Sequence, residues 1–325
     1  MLPKRIFLFL LLFFGVFAVV GGFYLRSRVE PLVKQKLQEA CPSCKINWGS
    51  FSFGLRGVSF RDLEFESPPR QITRYSAKVR RLDIVVNWRQ AKKKLLDLRS
   101  VAVDGADIKV MEIEGHNPPG PGPQALFAIR GITFSDSTFT YEIREKGKFG
   151  RVRLDKIQAS ISALGTFPEL KDQPVVGKAK ARLEQSGQVD LEVEAPLFRD
   201  IPKVLVKLSL ADQRLPELNE YFTPIDGVEL SGRVIQGNAS AEVDGKLLSA
   251  WADIRYEKFD VRFLRTKQRG GLKAFLSNIV ADLKLDPKKV TADSKSVGIH
   301  RRPLESMVSF VLRGLKEAAL KVATI

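Results

Sequence analysis

Cysteine occurs at two positions, in the run Cys41-Pro42-Ser43-Cys44, and that spacing supports three kinds of chemistry. A metal site normally takes four ligands, and the two histidines, His116 and His300, lie far away in the chain. A redox dithiol follows a strand and opens a helix, whose N-terminus lowers the thiol pKa. Here the order is reversed: the pair ends a helix-like stretch, Val29–Ala40, and precedes the strand-like Lys45–Phe53. The remaining chemistry is a local disulfide that pins a corner of the chain. It implies an oxidising compartment, although closing so short a loop adds little stability through chain entropy.

Other reactive constellations are missing from the sequence. His116 sits in the Pro/Gly run HNPPGPGP, residues 116–123, and His300 stands beside Arg301-Arg302. No G-x-S-x-G, H-E-x-x-H, Walker loop or G-x-G-x-x-G occurs. The carboxylates fall mostly on the polar side of alternating stretches, where solvated decoration is the ordinary role. The chain reads as a non-enzyme, with no catalytic residue, metal site or cofactor to assign.

Binding is then the chemistry left to consider, and charge is its first indicator. The formal net charge is +16, an excess that suits an anionic partner. It is unevenly placed: 17 Lys/Arg against 8 Asp/Glu over residues 26–104, 16 against 8 over 253–325, and 18 against 21 between them. A nucleic-acid reader carries a compact basic face with interleaved aromatics, so this split favours lipid head groups over nucleic acid.

Ile6–Leu25 (IFLFLLLFFGVFAVVGGFYL) carries no charge, and twenty residues at about 1.5 Å each cover the roughly 30 Å hydrocarbon core of a bilayer. Lys4 and Arg5 precede it, and Tyr24, Arg26 and Arg28 stand at the far interface. The alternative is a cleaved signal peptide, but the run exceeds the usual ~7–15 apolar residues and lacks a clear small-residue cleavage site. Cations on both sides leave orientation undecided; the cysteine pair favours export of residues 26–325.

Behind the anchor the dominant period is two, the pattern of strands with one buried face. Leu82, Ile84, Val86 and Trp88 share a face, as do Phe139, Tyr141 and Ile143; similar series run through Val189–Val193, Val204–Leu210, Val228–Val234 and Phe259–Phe263. Asp-Gly, Lys-Gly and Ser-Gly pairs mark short turns, so most neighbouring strands are expected to pair antiparallel. Between about residues 98 and 270 no amphipathic helix is evident. A one-sided sheet without covering helices either closes on itself or curls around something apolar, such as acyl chains. The two named series are the candidate lining of such a groove. The HNPPGPGP run either divides the chain into two β units or interrupts one continuous sheet.

Two apolar helical stripes follow. Leu272, Phe275, Leu276, Ile279, Val280 and Leu283 form the first, ended by Asp286-Pro287; Leu304, Met307, Val308, Val311, Leu315, Ala318 and Val322 form the second. They either lie on an anionic membrane or cap an open sheet edge. Arg301, Arg302, Arg313, Lys316 and Lys321 are the candidate contacts to anionic lipid or an acidic partner. The expected organisation is an anchor over 1–25, a juxtamembrane helix and cysteine corner over 26–45, a β body over 46–268 and a basic helical tail over 269–325.

Three segments carry a resemblance: the N-terminal span with its short following helix, WGSFSFGLRGVSFRDLEFE (Trp48–Glu66), and AKVRRLDIVVNWRQAKKKLLDLRSVAVDGADIKV (Ala77–Val110). They resemble the AsmA-like proteins, a bacterial envelope family that includes TamB-like members. The resemblance covers the first third of the chain by sequence and the remainder by architecture. It implies a mainly β fold, a long bent antiparallel sheet forming a repeating β-groove as in the chorein-type lipid-transfer proteins. It further implies an inner-membrane protein with its bulk in the periplasm, binding or moving phospholipid with envelope protein partners and contributing to outer-membrane biogenesis. The reading that competes with it is a structural or interaction protein of the envelope with a closed β core and no cargo.

Overall fold

The computed structural model describes residues 30–31, 34–35, 38, 41, 43–54, 56–68, 73–91, 96–113, 127–145, 147–196, 203–264, 291–301 and 307–322. The apolar run 6–25 and the stripe 272–283 lie outside these residues. Among the described residues no helix is long and apolar enough to cross a membrane.

Period-two sequence becomes strand throughout. Fifteen strands form one sheet: β1 (Lys45–Asn47), β2 (Ser50–Gly54), β3 (Gly57–Glu66), β4 (Thr73–Val86), β5 (Leu96–Ile113), β6 (Phe127–Ile129), β7 (Ile132–Glu145) and β8 (Lys148–Ile161) make its first half. Then follow β9 (Leu164–Gly165), β10 (Val175–Leu183), β11 (Gly187–Ala195), β12 (Lys203–Arg214), β13 (Val228–Asp244), β14 (Leu247–Phe263) and β15 (Thr291–His300). The spatial order is β1-β3-β4-β5-β7-β8-β10-β11-β12-β13-β14-β15, with β2 beside β3, and β6 joining β5 to β9. HNPPGPGP therefore interrupts one continuous sheet and does not divide it.

Most pairs are antiparallel, as expected, and the exceptions lie at one place. β6 and β7 both run parallel to β5, with Leu96 opposite Phe127 and Val101 opposite Ile132. The chain leaves β5 at one end of the sheet and re-enters beside its beginning, so the Pro/Gly run belongs to a crossover and not to a hairpin. The sheet is mixed for this reason.

A row of irregularities crosses the strands. Asp62, Gly105, Asp136, Lys156, Asp212, Gly232 and Lys258 have left-handed backbones, with φ between 47° and 95°. Beside some of them a ladder pair is skipped without a change of register, as at Asp62, where Arg61 opposes Arg81 and Leu63 opposes Val79; beside others the register shifts, as where Ser231 opposes Asp260 but Arg233 opposes Glu257. An extra residue of this kind is a bulge, which bends its strand and increases its twist. Recurring from β3 to β14, these positions mark a crease across the strands. The β10–β11 hairpin stops at the crease, with Glu184 also left-handed (φ 51°).

Helices cover parts of one face. A short helix, α1 (Trp88–Ala91), precedes β5, and the expected absence of helices between about residues 98 and 270 is corrected by α2 (Pro168–Lys171), a 3-10 turn (Leu215–Leu218) and α3 (Asn219–Asp226). The last helix, α4 (Met307–Val322), contains the second predicted stripe. It lies across β13, β14 and β15.

Candidate functional site

Register decides which side chains share a face, because directly opposed residues project the same way. One apolar row runs through Phe60, Leu82, Val103, Phe134, Ala159 and Ala179. It continues through Leu191, Leu208 and Ala239 to Ala252. A second row, two residues away on each strand, runs from Val58 and Ile84 to Ala250 and Val297. The other face carries directly opposed charges, among them Glu64–Lys78, Lys178–Glu192, Lys180–Asp190 and Glu229–Arg262. Such exposed pairs contribute little stability each. They do oppose a one-residue slip, which would turn every apolar side chain to water.

The crease does not reverse the faces, because each bulge absorbs the odd residue. Ile108, beyond the crease on β5, still packs against the cluster that holds Leu82 and Ile84, and its partner on β7 is Phe139. The two series read from the sequence therefore lie on one face, on opposite sides of the bend.

Three zones of this face differ in burial. In the first, Leu82, Ile84 and Val86 are closed into a core with Phe60, Leu98 and Phe127, the last three 0% exposed. Trp48 and Phe51 meet the Phe60 ring at 5.7 and 5.0 Å, and Trp88 meets Phe53 at 5.5 Å. Three of the four residues in the first proposed groove series, Leu82, Ile84 and Val86, are thus interior packing. Beneath them Asp97, 2% exposed, accepts hydrogen bonds from Arg130 Nε at 3.1 Å and Asn87 Nδ2 at 2.9 Å. At the corner Cys41 and Cys44 are disulfide-bonded, with the Cys44 N–H donating to the Cys41 carbonyl at 3.0 Å.

Beyond the crease, Phe139, Tyr141 and Ile143 are half-buried, and α3 fills the space left by the short β10–β11 hairpin. Ile225 of α3 sits so close over Gly150 of β8 that a Cβ there would lie 2.6 Å from it, and Arg151 donates to Glu220 at 2.9 Å. The Tyr141 hydroxyl donates to Glu112 at 2.7 Å. Burial first, and the Glu112 charge second, push the Tyr141 phenol well above its ordinary pKa.

The far zone is filled by α4. Phe310 and Ala318 are 0% exposed against Val206, Val243, Leu248 and the alanines 241, 250 and 252. Two of the proposed partner-binding cations are committed here. Arg313 Nη2 donates to the His300 carbonyl at 2.8 Å and Lys321 Nζ to the Ser296 carbonyl at 3.1 Å. Both carbonyls belong to β15, the last strand of the sheet. Arg301 donates its N–H to the Lys246 carbonyl; Arg302 and the Lys316 side chain lie outside the description.

Between these zones, on β7, β8, β10, β11 and β12, the same rows are only half-buried: Ile132, Phe134, Ala159, Ile161, Ala179, Leu191, Val193 and Leu208. Sequence reasoning found these strands but not this site. Their alternation matches that of the other strands, and only register and burial together show where, among the described residues, the face is left half-buried. Among the described residues no group of three or more His, Cys, Asp or Glu side chains is placed to hold a metal ion. No family profile matches the chain, and no curated protein matches its sequence.

Proposed function

We propose that this chain is a non-catalytic, membrane-anchored lipid-binding protein of the bacterial envelope, similar in plan to the AsmA-like proteins. In this reading residues 6–25 anchor it in the inner membrane and the sheet stands in the periplasm, where the Cys41–Cys44 bond would persist. The observation that carries the proposal is the half-exposed apolar stretch between two closed cores. Among the described residues the apolar rows are buried at both ends of the face and half-buried between them, at Ala159, Ala179 and Leu208, a surface suited to acyl chains. It supports binding of phospholipid, and its transfer over short gaps with envelope protein partners.

The experiment is mass spectrometry of the chain extracted with its membrane patch and then stripped of loosely held lipid. Phospholipid retained in fixed proportion to protein is the expected result. A preparation that folds and carries none would sink the proposal and leave the second reading, a structural or interaction protein. That reading is favoured by one observation of its own: both ends of the face are filled by the chain itself.

A further inference from the structure

We propose that Glu112 and the tyrosines around it form a binding site for the ammonium of a phospholipid headgroup. The inference rests on the lipid-binding reading and deepens it, giving the bound lipid a preferred headgroup and that headgroup a place beyond the crease.

The site begins with register. Thr73, Glu112 and Ile143 lie side by side on β4, β5 and β7, and Tyr75, Val110 and Tyr141 form the neighbouring row on the same face. Glu112 is the single charged side chain of these six, on the face that also carries Ile108 and Phe139. Tyr75 and Tyr141 stand diagonally to either side of it, a separation that aromatic side chains can span. The Tyr141 hydroxyl does so, donating to Glu112 Oε2 at 2.7 Å. α3 brings a third ring, Tyr221, close enough for its phenol to act electrostatically on that of Tyr141.

The ligand chemistry follows from what the carboxylate still offers. An ionised carboxylate has about four acceptor positions. Among the described residues Tyr141 fills one of them, and no lysine or arginine pairs with Glu112. All six residues of the two rows are half-buried, so water is partly excluded and the site is not sealed. Burial first, with the Glu112 charge contributing, raises the pKa of both Tyr75 and Tyr141. The rings therefore stay neutral, in surroundings that favour a cation. Neutral ring faces attract an ammonium, more strongly where it is desolvated. The remaining carboxylate positions accept N–H donors, which a primary ammonium has and a quaternary one lacks. One carboxylate is a poor set for a divalent metal, which takes about six or more oxygen ligands; it suits a singly charged organic cation. On β8, Gly150 opposes Ile143, and the next residue on this face toward the hairpin turn is Lys148, a cation for the phosphate that a lipid headgroup carries beside its ammonium. The ammonium is a lipid's because, in the reading above, the apolar run 6–25 holds this surface beside a bilayer.

The test uses the full-length chain in nanodiscs of phosphatidylethanolamine and phosphatidylglycerol in equal amounts, with matched tails. Native mass spectrometry of the released protein counts the lipid of each kind that it retains. Phosphatidylethanolamine should be retained in roughly tenfold preference. Glu112→Gln should abolish the preference with total lipid unchanged, and Glu112→Lys should invert it. Tyr75→Phe, which keeps the ring, should keep the preference, whereas Tyr75→Leu should lower it; this pair carries the test if the Glu112 variants lose strand content by circular dichroism. No preference in the parent chain, or a preference indifferent to Glu112→Gln and Glu112→Lys, would overturn the site and leave lipid binding standing. So would a preference seen only after Arg70, which precedes β4 in the sequence, is replaced by Ala, because the chain's own cation would then fill the site in the native protein. A folded chain that retains neither lipid would overturn both.

Discussion

At the scale of single residues, two buried polar contacts set the conditions under which the sheet holds together. Asp97 brings β5 to Arg130 and Asn87, so a carboxylate removed from water is met by a guanidinium and an amide; without them its burial would cost several kcal/mol. Tyr141 is the more informative, because its contact titrates. In the unfolded chain the phenol ionises near pH 10, whereas in the fold burial and Glu112 hold the proton to much higher pH. The folded-state value is raised, so the stabilisation is complete below about pH 10 and is lost as pH rises beyond it. Tyr141→Phe should cost about 1–2 kcal/mol at neutral pH by leaving Glu112 without its donor. It should also flatten the loss of stability above about pH 10. Denaturant titrations at neutral pH and above pH 10 check both; an equally steep alkaline loss in the variant would assign it to another group.

At the scale of elements, the last strand shows how the sheet is stopped. Arg301 donates back toward β14, so on β15 the carbonyls of Ser296 and His300 point to the open side, and Lys321 and Arg313 of α4 meet them. A strand edge with unmet carbonyls is a template for further pairing. Replacing both Arg313 and Lys321 by Ala should leave α4 seated through Phe310 but expose that edge. The expected outcome is concentration-dependent self-association by sedimentation velocity; a double variant that stays monomeric would show that α4's bulk alone protects β15. The sequence announced these cations and the apolar stripe of α4, but not their use, since a stripe fits a membrane and a sheet equally well. Leu82, Ile84 and Val86 were likewise legible as one face, yet closure of that face depends on Phe60, Leu98 and Phe127 brought from other strands. α3 was illegible for a different reason. Asn219–Asp226 makes barely two turns around Pro224, too short for a 3.6 period to emerge. Contacts that the period does not reveal hold it, notably the Asn219 side chain bonded to both backbone groups of Leu230. The parallel join of β5 with β7 was hidden because a Pro/Gly run looks the same whether it closes a hairpin or begins a crossover.

At the scale of the whole molecule, the crease makes one bent face out of strands of 9 to 18 residues. Long regular strands would expose a plane; left-handed residues in β3, β5, β7, β8, β12, β13 and β14 interrupt it. The hydrophobic pattern marks this line as a shift of phase: on β5 the buried face passes from Val101 and Val103 to Ala106 and Ile108. Glycine also marks it in part: at Gly232 (φ 95°) a Cβ would fall 2.3 Å from the Lys258 carbonyl. At the other positions except Gly105 the left-handed residue is Asp or Lys, for which that conformation costs about 1 kcal/mol more than it does for glycine. The crease can therefore be tested by the sign of a substitution. In a regular strand, Lys156→Gly and Lys258→Gly should each destabilise by about 0.5–1 kcal/mol, through chain entropy and lost β propensity. At a left-handed bulge each should instead stabilise by about 0.5–1 kcal/mol, since the strain removed exceeds the entropy lost. The two sites lie on β8 and β14, and their effects should add, since neither shares partners with the other. Urea unfolding of the single and double variants measures this directly. A rise in midpoint with unchanged slope is the expected result, and a fall in either variant would place a regular strand where the bend is drawn.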